Sequence, residues 1–230
     1  MPKLAVATTN RGKLREIAEL LGGLPMELVT LAEWPDVAAP EETGRTFAEN
    51  ARLKALYYAA HTGELTVADD SGLEIDALDG VPGVESARFG GADSTYAAKF
   101  DLIYSMLRAR GAAGSPARFV CALALARGGR IIFETRGVVE GVIAAEPKGT
   151  GGFGYDPIFY YPPFGCTLAE SGDRKAEVSH RGHAFRALRR YLTLNAEHAE
   201  TAENQMQPRR RQEHRESLGM LRDLCDRCGS

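Results

Sequence analysis

The run Ala117-Arg118-Phe119-Val120-Cys121-Ala122-Leu123-Ala124-Leu125-Ala126 restricts the fold more than any other stretch of the chain. It is almost wholly apolar and holds β-branched and aromatic members, the composition of a central strand. Gly128-Gly129 follows it, and such a pair between two strand-like segments marks a hairpin. The pattern predicts strands over 117–126, 130–136 and 137–144. This half of the chain therefore reads as an extended antiparallel or mixed sheet.

Helices enter before the hairpin, so the fold class is α/β. Lys3 to Thr8 reads as a buried strand, and Thr8-Thr9-Asn10-Arg11-Gly12-Lys13 turns into a helix with Leu14, Ile17, Leu20 and Leu21 at helical spacing. A second strand is expected over Leu28–Leu31 and a loop over Pro35–Pro40. A helix from Thr46 to His61 follows, with Thr46 and Glu49 at capping-box spacing and a stripe of Phe47, Ala51, Leu53-Lys54-Ala55 and Tyr58. Thr66 to Asp70 reads as a strand ending in two acids, with a Ser71-Gly72 turn and a second extended piece from Gly72 to Leu78. Further helices are expected over 94–110 and 184–194, the last behind a Ser179 cap, with a short strand over 158–161.

Bulk properties exclude several classes. A net charge of -3 gives no electrostatic case for nucleic acid or acidic membranes. No apolar run approaches the ~18 residues of a membrane span, and the N-terminal apolar run is too short for a signal peptide, so a cytoplasmic location is expected. Of the four cysteines, Cys121 lies in the apolar run and reads as a small buried hydrophobe. Cys225 and Cys228 form a C-x-x-C without a second pair or a His pair, which favours reduced thiols over zinc. From Asn195 the composition turns to Ala-Glu units and then Arg209-Arg210-Arg211. We therefore divide the chain into a domain over 1–194 and a polar, flexible or partly helical tail over 195–230.

Several local patterns carry chemistry. Adjacent carboxylates at Asp69-Asp70 repel unless a cation or donor lies between them, the profile of a metal site or general base. The plainer reading is a polar turn. Strand, polar loop and helix at Thr8–Lys13 can present backbone N–H groups and a lysine to a phosphate, or be an ordinary capped connection. Glu41 and Glu42 fall in a loop before a helix. In Lys148-Gly149-Thr150-Gly151-Gly152-Phe153-Gly154-Tyr155-Asp156-Pro157, glycines allow close backbone approach, and Phe153 and Tyr155 offer faces for a base. His180 and Arg181 lie near a helix N-terminus, where cations cost stability unless an anion or electron-rich ligand compensates.

Taken with Lys175-Ala176-Glu177-Val178-Ser179-His180-Arg181, these stretches in this order resemble the inosine/xanthosine triphosphate pyrophosphatase family over about Lys3 to Leu194. The resemblance implies an elongated mixed central sheet flanked by helices, two lobes with an active-site cleft, Mg²⁺ dependence and a homodimer. It also implies hydrolysis of XTP, ITP and dITP to monophosphate and pyrophosphate. Residue by residue, it places Thr8, Thr9, Asn10, Arg11, Gly12 and Lys13 in a phosphate loop and Glu42 and Asp70 at the metal. Asp70 is then also the general base, with Asp69 in support and Ser71 a substrate contact. Phe153, Gly154, Tyr155 and Asp156 form the base-binding loop, Lys175 binds substrate, and His180 and Arg181 read the base. Many members have Gly or Ser where this chain has Thr9. A non-catalytic nucleotide-binding module and a pyrimidine-directed pyrophosphatase are the alternatives. No stable nucleic-acid or membrane partner is expected.

Overall fold

The apolar run becomes the longest-paired strand of a seven-stranded mixed sheet in a computed structural model that describes residues 1–195 except Ala92 and Ala113. The tail from 196 onward, with Cys225 and Cys228, lies outside the described residues. The strands are β1 (Lys3–Val6), β2 (Glu27–Thr30), β3 (Leu65–Ile75), β4 (Pro116–Arg127), β5 (Arg130–Ile143), β6 (Phe159–Tyr161) and β7 (Cys166–Thr167). Their order across the sheet is β2-β1-β3-β4-β5-β6-β7. β1 runs parallel to β2 and β3, and every other pair is antiparallel. Parallel neighbours need crossovers, which α1 (Arg11–Leu21) and α2 (Phe47–Thr62) provide. The expected mixed α/β sheet flanked by helices is therefore present.

Two expected breaks are absent. β3 does not end at the acids: Asp69, Asp70, Ser71 and Gly72 pair in register with Leu123, Ala122, Cys121 and Val120. A long apolar partner strand satisfies the backbone groups at these positions, and that outweighs the turn preference of Asp, Ser and Gly. β5 likewise runs unbroken through Gly137 for 14 residues. Gly137 serves a different purpose, because a Cβ there would lie 2.0 Å from the His180 carbonyl oxygen and 2.8 Å from the Ala184 nitrogen. The glycine lets a helix lie directly on the strand.

Three more helices follow, α3 (Tyr96–Ala109), the short α4 (Lys175–Val178) and α5 (residues 180–195). α5 begins earlier than the expected Ala184, so His180 and Arg181 occupy its first turn. Its cap is as expected: the Ser179 hydroxyl accepts from the Gly182 N–H at 2.9 Å. The capping box of α2 is also formed, Thr46 accepting from the Glu49 N–H and Glu49 from the Thr46 N–H.

Residues Met1–Arg189 make one compact unit. One apolar cluster joins Leu73, Ile75 and Phe119 of the sheet to Phe100, Ile103 and Leu107 of α3. A second is built largely of alanines, with Ala51 and Ala55 of α2 against Ala68, Ala122, Ala124 and Ala126. Small side chains on both surfaces bring α2 close to the sheet, within reach of groups on β3.

Gly137→Ala should cost about 1–3 kcal/mol through forced displacement of α5. Chemical denaturation should show a lower midpoint, and an unchanged midpoint would mean that the first turn of α5 does not rest on β5.

Candidate active site

Because side chains alternate across a strand, an unbroken β3 sends its two acids to opposite faces. Asp70 turns toward α2. Its Oδ2 accepts from Asn50 Nδ2 at 3.2 Å, and its Oδ1 lies 3.2 Å from Lys54 Nζ. The same ammonium is 2.7 Å from Glu42 Oε1, and Arg88 approaches the other Glu42 oxygen at 3.7 Å. Burial pushes the Asp70 carboxyl above the usual range, against the opposing pull of Lys54 and Lys13. Lys54 behaves the other way: burial works to discharge it, but Asp70, Asp69 and Glu42 hold it protonated.

Asp69 turns toward α1 and α5 and is only 2% exposed. Its Oδ2 lies 2.9 Å from Lys13 Nζ and 3.4 Å from the Arg181 guanidinium, and it accepts from the Ser71 hydroxyl at 3.2 Å. Burial alone would raise its pKa, but Lys13 and Arg181 hold the carboxyl well below the usual carboxylate range. Neighbouring residues of one strand thus have their acidities driven apart, a division that commonly separates a proton acceptor from a fixed charge.

The loop before α1 is organised by Asn10, whose side-chain oxygen accepts from the Gly12 and Lys13 N–H groups at 2.9 and 3.1 Å. The glycine-rich segment faces it. Gly152 and Gly154 adopt φ of +68° and +71°, and between them Phe153 lies so close to Gly12 that a Cβ there would be 3.0 Å from the ring. The Phe153 N–H donates to Asp156 Oδ2 at 2.8 Å, and Lys175 Nζ sits 2.7 Å from that oxygen. Glu16 of α1 bridges the cations, with 3.0 Å to Lys175 and 2.6 Å to Arg181. Lys175 and Arg181 stand 4.8 and 5.6 Å from the Phe153 ring centre.

His180 is buried and stacks on Phe119 with ring centres 4.9 Å apart. Burial, reinforced by Arg181 and Lys175, keeps its pKa well below the ordinary histidine value, so it is neutral at pH 7. Its Nδ1 and the Arg181 Nε are buried without a partner among the described residues.

A cavity of about 430 Å³ gathers Thr8, Thr9, Asn10, Lys13, Glu42, Asp70, Ser71, Phe153, Gly154, Tyr155, Asp156, Lys175, His180 and Arg181 on its walls. That volume suits a nucleotide-sized ligand. Three expected site residues fall elsewhere: Arg11 is exposed outside the wall, Gly12 underlies Phe153, and Asp69 lies behind Ser71. Tyr155 and Asp156 mainly brace the loop, the Tyr155 hydroxyl donating to the Ser86 carbonyl at 2.8 Å. Among the described residues no three His, Cys, Asp or Glu side chains cluster as a closed metal cage. Glu42 and Asp70 are hard carboxylate donors of the kind Mg²⁺ uses together with water and phosphate oxygens, and here the Lys54 ammonium bridges them.

Asn50, Lys54 and Glu16 also belong to the site, although no motif in the sequence marks them. Asn50, Lys54 and Tyr58 recur every four residues on the buried stripe of α2, so polar groups at core positions were the available signal. Glu16 gave none, since a glutamate on an amphipathic helix looks like its solvated face.

The sequence model of the Ham1 family matches residues 4–191. A dITP/XTP pyrophosphatase of Exiguobacterium sp. strain AT1b is 48% identical over 187 residues, which cover 81% of this chain and 94% of that protein. The solved structure of a HAM1 protein from Coxiella burnetii superposes with a TM-score of 0.79 at 41% identity, covering 84% of this chain and 99% of its own. A nucleoside-triphosphatase / dITP/XTP pyrophosphatase from Mycobacterium abscessus superposes at 0.66, also with 41% identity, over 81% of this chain and 98% of its own.

The depressed Asp69 pKa fixes a pH dependence. A carboxylate held below its unfolded value of about 3.9 adds stability that is present above that pH and is lost as pH falls below it. Asp69→Asn should therefore be less stable than wild type at pH 7, with the gap closing steadily below about pH 4. Urea titrations across that range check this, and a pH-independent gap would remove the Lys13–Asp69–Arg181 charges as its cause.

Proposed function

The chain belongs to the Ham1 family, and from that membership and the site's geometry we propose that it hydrolyses dITP, XTP and ITP to the monophosphate and pyrophosphate. One observation carries the reading. A single cavity joins an acid pair on a lysine, further cationic side chains and a loop with an aromatic ring.

Cleaving between the α- and β-phosphates requires an attacking water, a proton acceptor and neutralisation of charge spread over the phosphate oxygens. Asp70, whose carboxyl burial makes a better base than an exposed aspartate, takes the proton as the water oxygen bonds to the α-phosphorus. The bond to the β-phosphate bridging oxygen breaks and pyrophosphate leaves. Lys13, the Asn10 loop and Lys175 hold phosphate oxygens, and Lys54 stabilises the charge building beside Asp70. Glu42 and Asp70 would hold Mg²⁺, which when bound supplies further charge neutralisation at the phosphates. Asp69 acts by fixing Lys13 and Arg181.

Phe153 provides the stacking face. His180 and Arg181 present donors to a 6-keto oxygen, and a 6-amino group would leave them unpaired. The same reading takes 1–194 as the catalytic domain, 195–230 as a polar appendage and the enzyme as a cytoplasmic homodimer.

With Mg²⁺ present, ITP, dITP and XTP should release pyrophosphate at least ~100-fold faster than ATP, and EDTA should stop the reaction until Mg²⁺ is restored. Equal turnover of ATP, or orthophosphate as the only phosphate product, would sink the proposal. Faster turnover of dTTP or UTP would transfer it to the pyrimidine-directed reading, and binding without turnover to the non-catalytic one. Asp70→Asn should lose about 10²–10⁴-fold in kcat. Far-UV circular dichroism should show the variant folded, so that the loss belongs to the chemistry and not to the fold.

A further inference from the structure

Asn50 sits under the proposed acid centre without lining the cavity, and its residue exposure is 0%. Its side-chain oxygen accepts from the Gly44 N–H at 2.8 Å, and its Nδ2 donates to Asp70 Oδ2 at 3.2 Å. A backbone N–H can only donate, so the Gly44 contact fixes which end of the amide is oxygen. The NH₂ is then committed to Asp70. Since Lys54 holds the other Asp70 oxygen, neither carboxylate oxygen is free to rotate away.

Gly44 explains how the loop approaches. A Cβ at this position would lie 2.5 Å from Asn50 Oδ1 and 2.9 Å from the Asn50 nitrogen. Glu42 stands two residues before Gly44 and is gripped by Lys54. The contacts therefore close a ring from Glu42 through Lys54, Asp70, Asn50 and Gly44 back to Glu42. The neighbouring donors are served separately: the Arg45 and Thr46 N–H groups both donate to the Glu49 carboxylate.

Building on the pyrophosphatase reading, we propose that Asn50 is a positioning residue that sets the orientation of Asp70 and its spacing from Glu42, with Gly44 as the seat that admits it. Asn50 touches no reacting atom. It acts by holding the proton acceptor and the Glu42 loop in one fixed relation, so its loss should lower turnover far more than it weakens nucleotide binding.

Asn50→Leu is the discriminating variant. It keeps the side-chain size and removes the donor to Asp70 without setting a second buried carboxylate against it. With ITP and Mg²⁺, kcat per folded molecule should fall about 10²-fold while KM stays within about threefold. Gly44→Ala should reproduce the kcat loss by displacing the amide. Combined with Asn50→Leu it should add little to the Leu variant alone, because both act on one contact. A kcat for Asn50→Leu within threefold of wild type overturns the inference, as does a fall that merely tracks the fraction unfolded. Should Asn50→Leu fail to fold, Gly44→Ala decides on the same criterion. A wild-type enzyme inert toward ITP, dITP and XTP overturns the pyrophosphatase reading and this inference together. An active wild type with an equally active Asn50→Leu overturns this inference alone.

Discussion

The pairing of β3 with β4 through the two acids is the constraint on which the site depends. Ten consecutive residues of β3, Thr66 to Ile75, are in register with β4, and Asp69 and Asp70 lie near the middle of that ladder. A strand alternates its side chains, so pairing separates two like charges that a turn would have left side by side. Each acid then acquires its own cations, Lys13 and Arg181 for Asp69 and Lys54 for Asp70. The backbone geometry thus precedes the electrostatics: had the strand ended, one sequence dipeptide could not have given two opposite acidities.

Much of the rest follows from keeping these charges in place out of water. Desolvation of a buried ion is offset only by close partners and satisfied hydrogen bonds. Asp69 lies among two cations and the Ser71 hydroxyl, and Glu16 carries the negative charge that lets Lys175 and Arg181 stand near one another. The alanine-rich contact between α2 and the sheet is the counterpart on the other face. Larger side chains there would hold Asn50 and Lys54 too far from Asp70 to share its two oxygens.

Local patterns made most of the frame legible. The spacing of Leu14, Ile17 and Leu21, the Thr46–Glu49 box and the Gly128-Gly129 hairpin each depend on neighbours in sequence, and each is present. Errors fell where a distant partner decides. Ser71-Gly72 and Gly137 carry turn-like residues, yet a paired strand in one case and a helix laid on the strand in the other determine what they do. The candidate site shows the same division. Residues within recognisable stretches, such as Lys13, Glu42, Asp70 and Phe153, do meet at one cavity, and so does Lys54, which in sequence reads only as part of an apolar stripe. A lone charge at a core position has no sequence neighbour to announce its partner. Only the fold shows that the stripe of α2 lands on Asp70.

The first turn of α5 shows how far local electrostatics can mislead when the fold is unknown. Two basic residues at a helix N-terminus oppose the dipole, which argues for an external anion or electron-rich ligand to compensate them. In the structure the compensation is internal. Asp69 and Glu16 surround Arg181, and burial beside Arg181 and Lys175 leaves His180 uncharged. Only one cation remains, and the protein has already neutralised it. A nucleotide base arriving here would meet oriented hydrogen-bond groups rather than net positive charge. Neutral, directional groups distinguish one base edge from another, whereas a bare positive charge would attract phosphate as readily as a keto oxygen. Within the proposed function, the anchoring of Arg181 by Asp69 therefore does two things. It steadies the acid centre, and it reserves this end of the cavity for the base rather than the triphosphate.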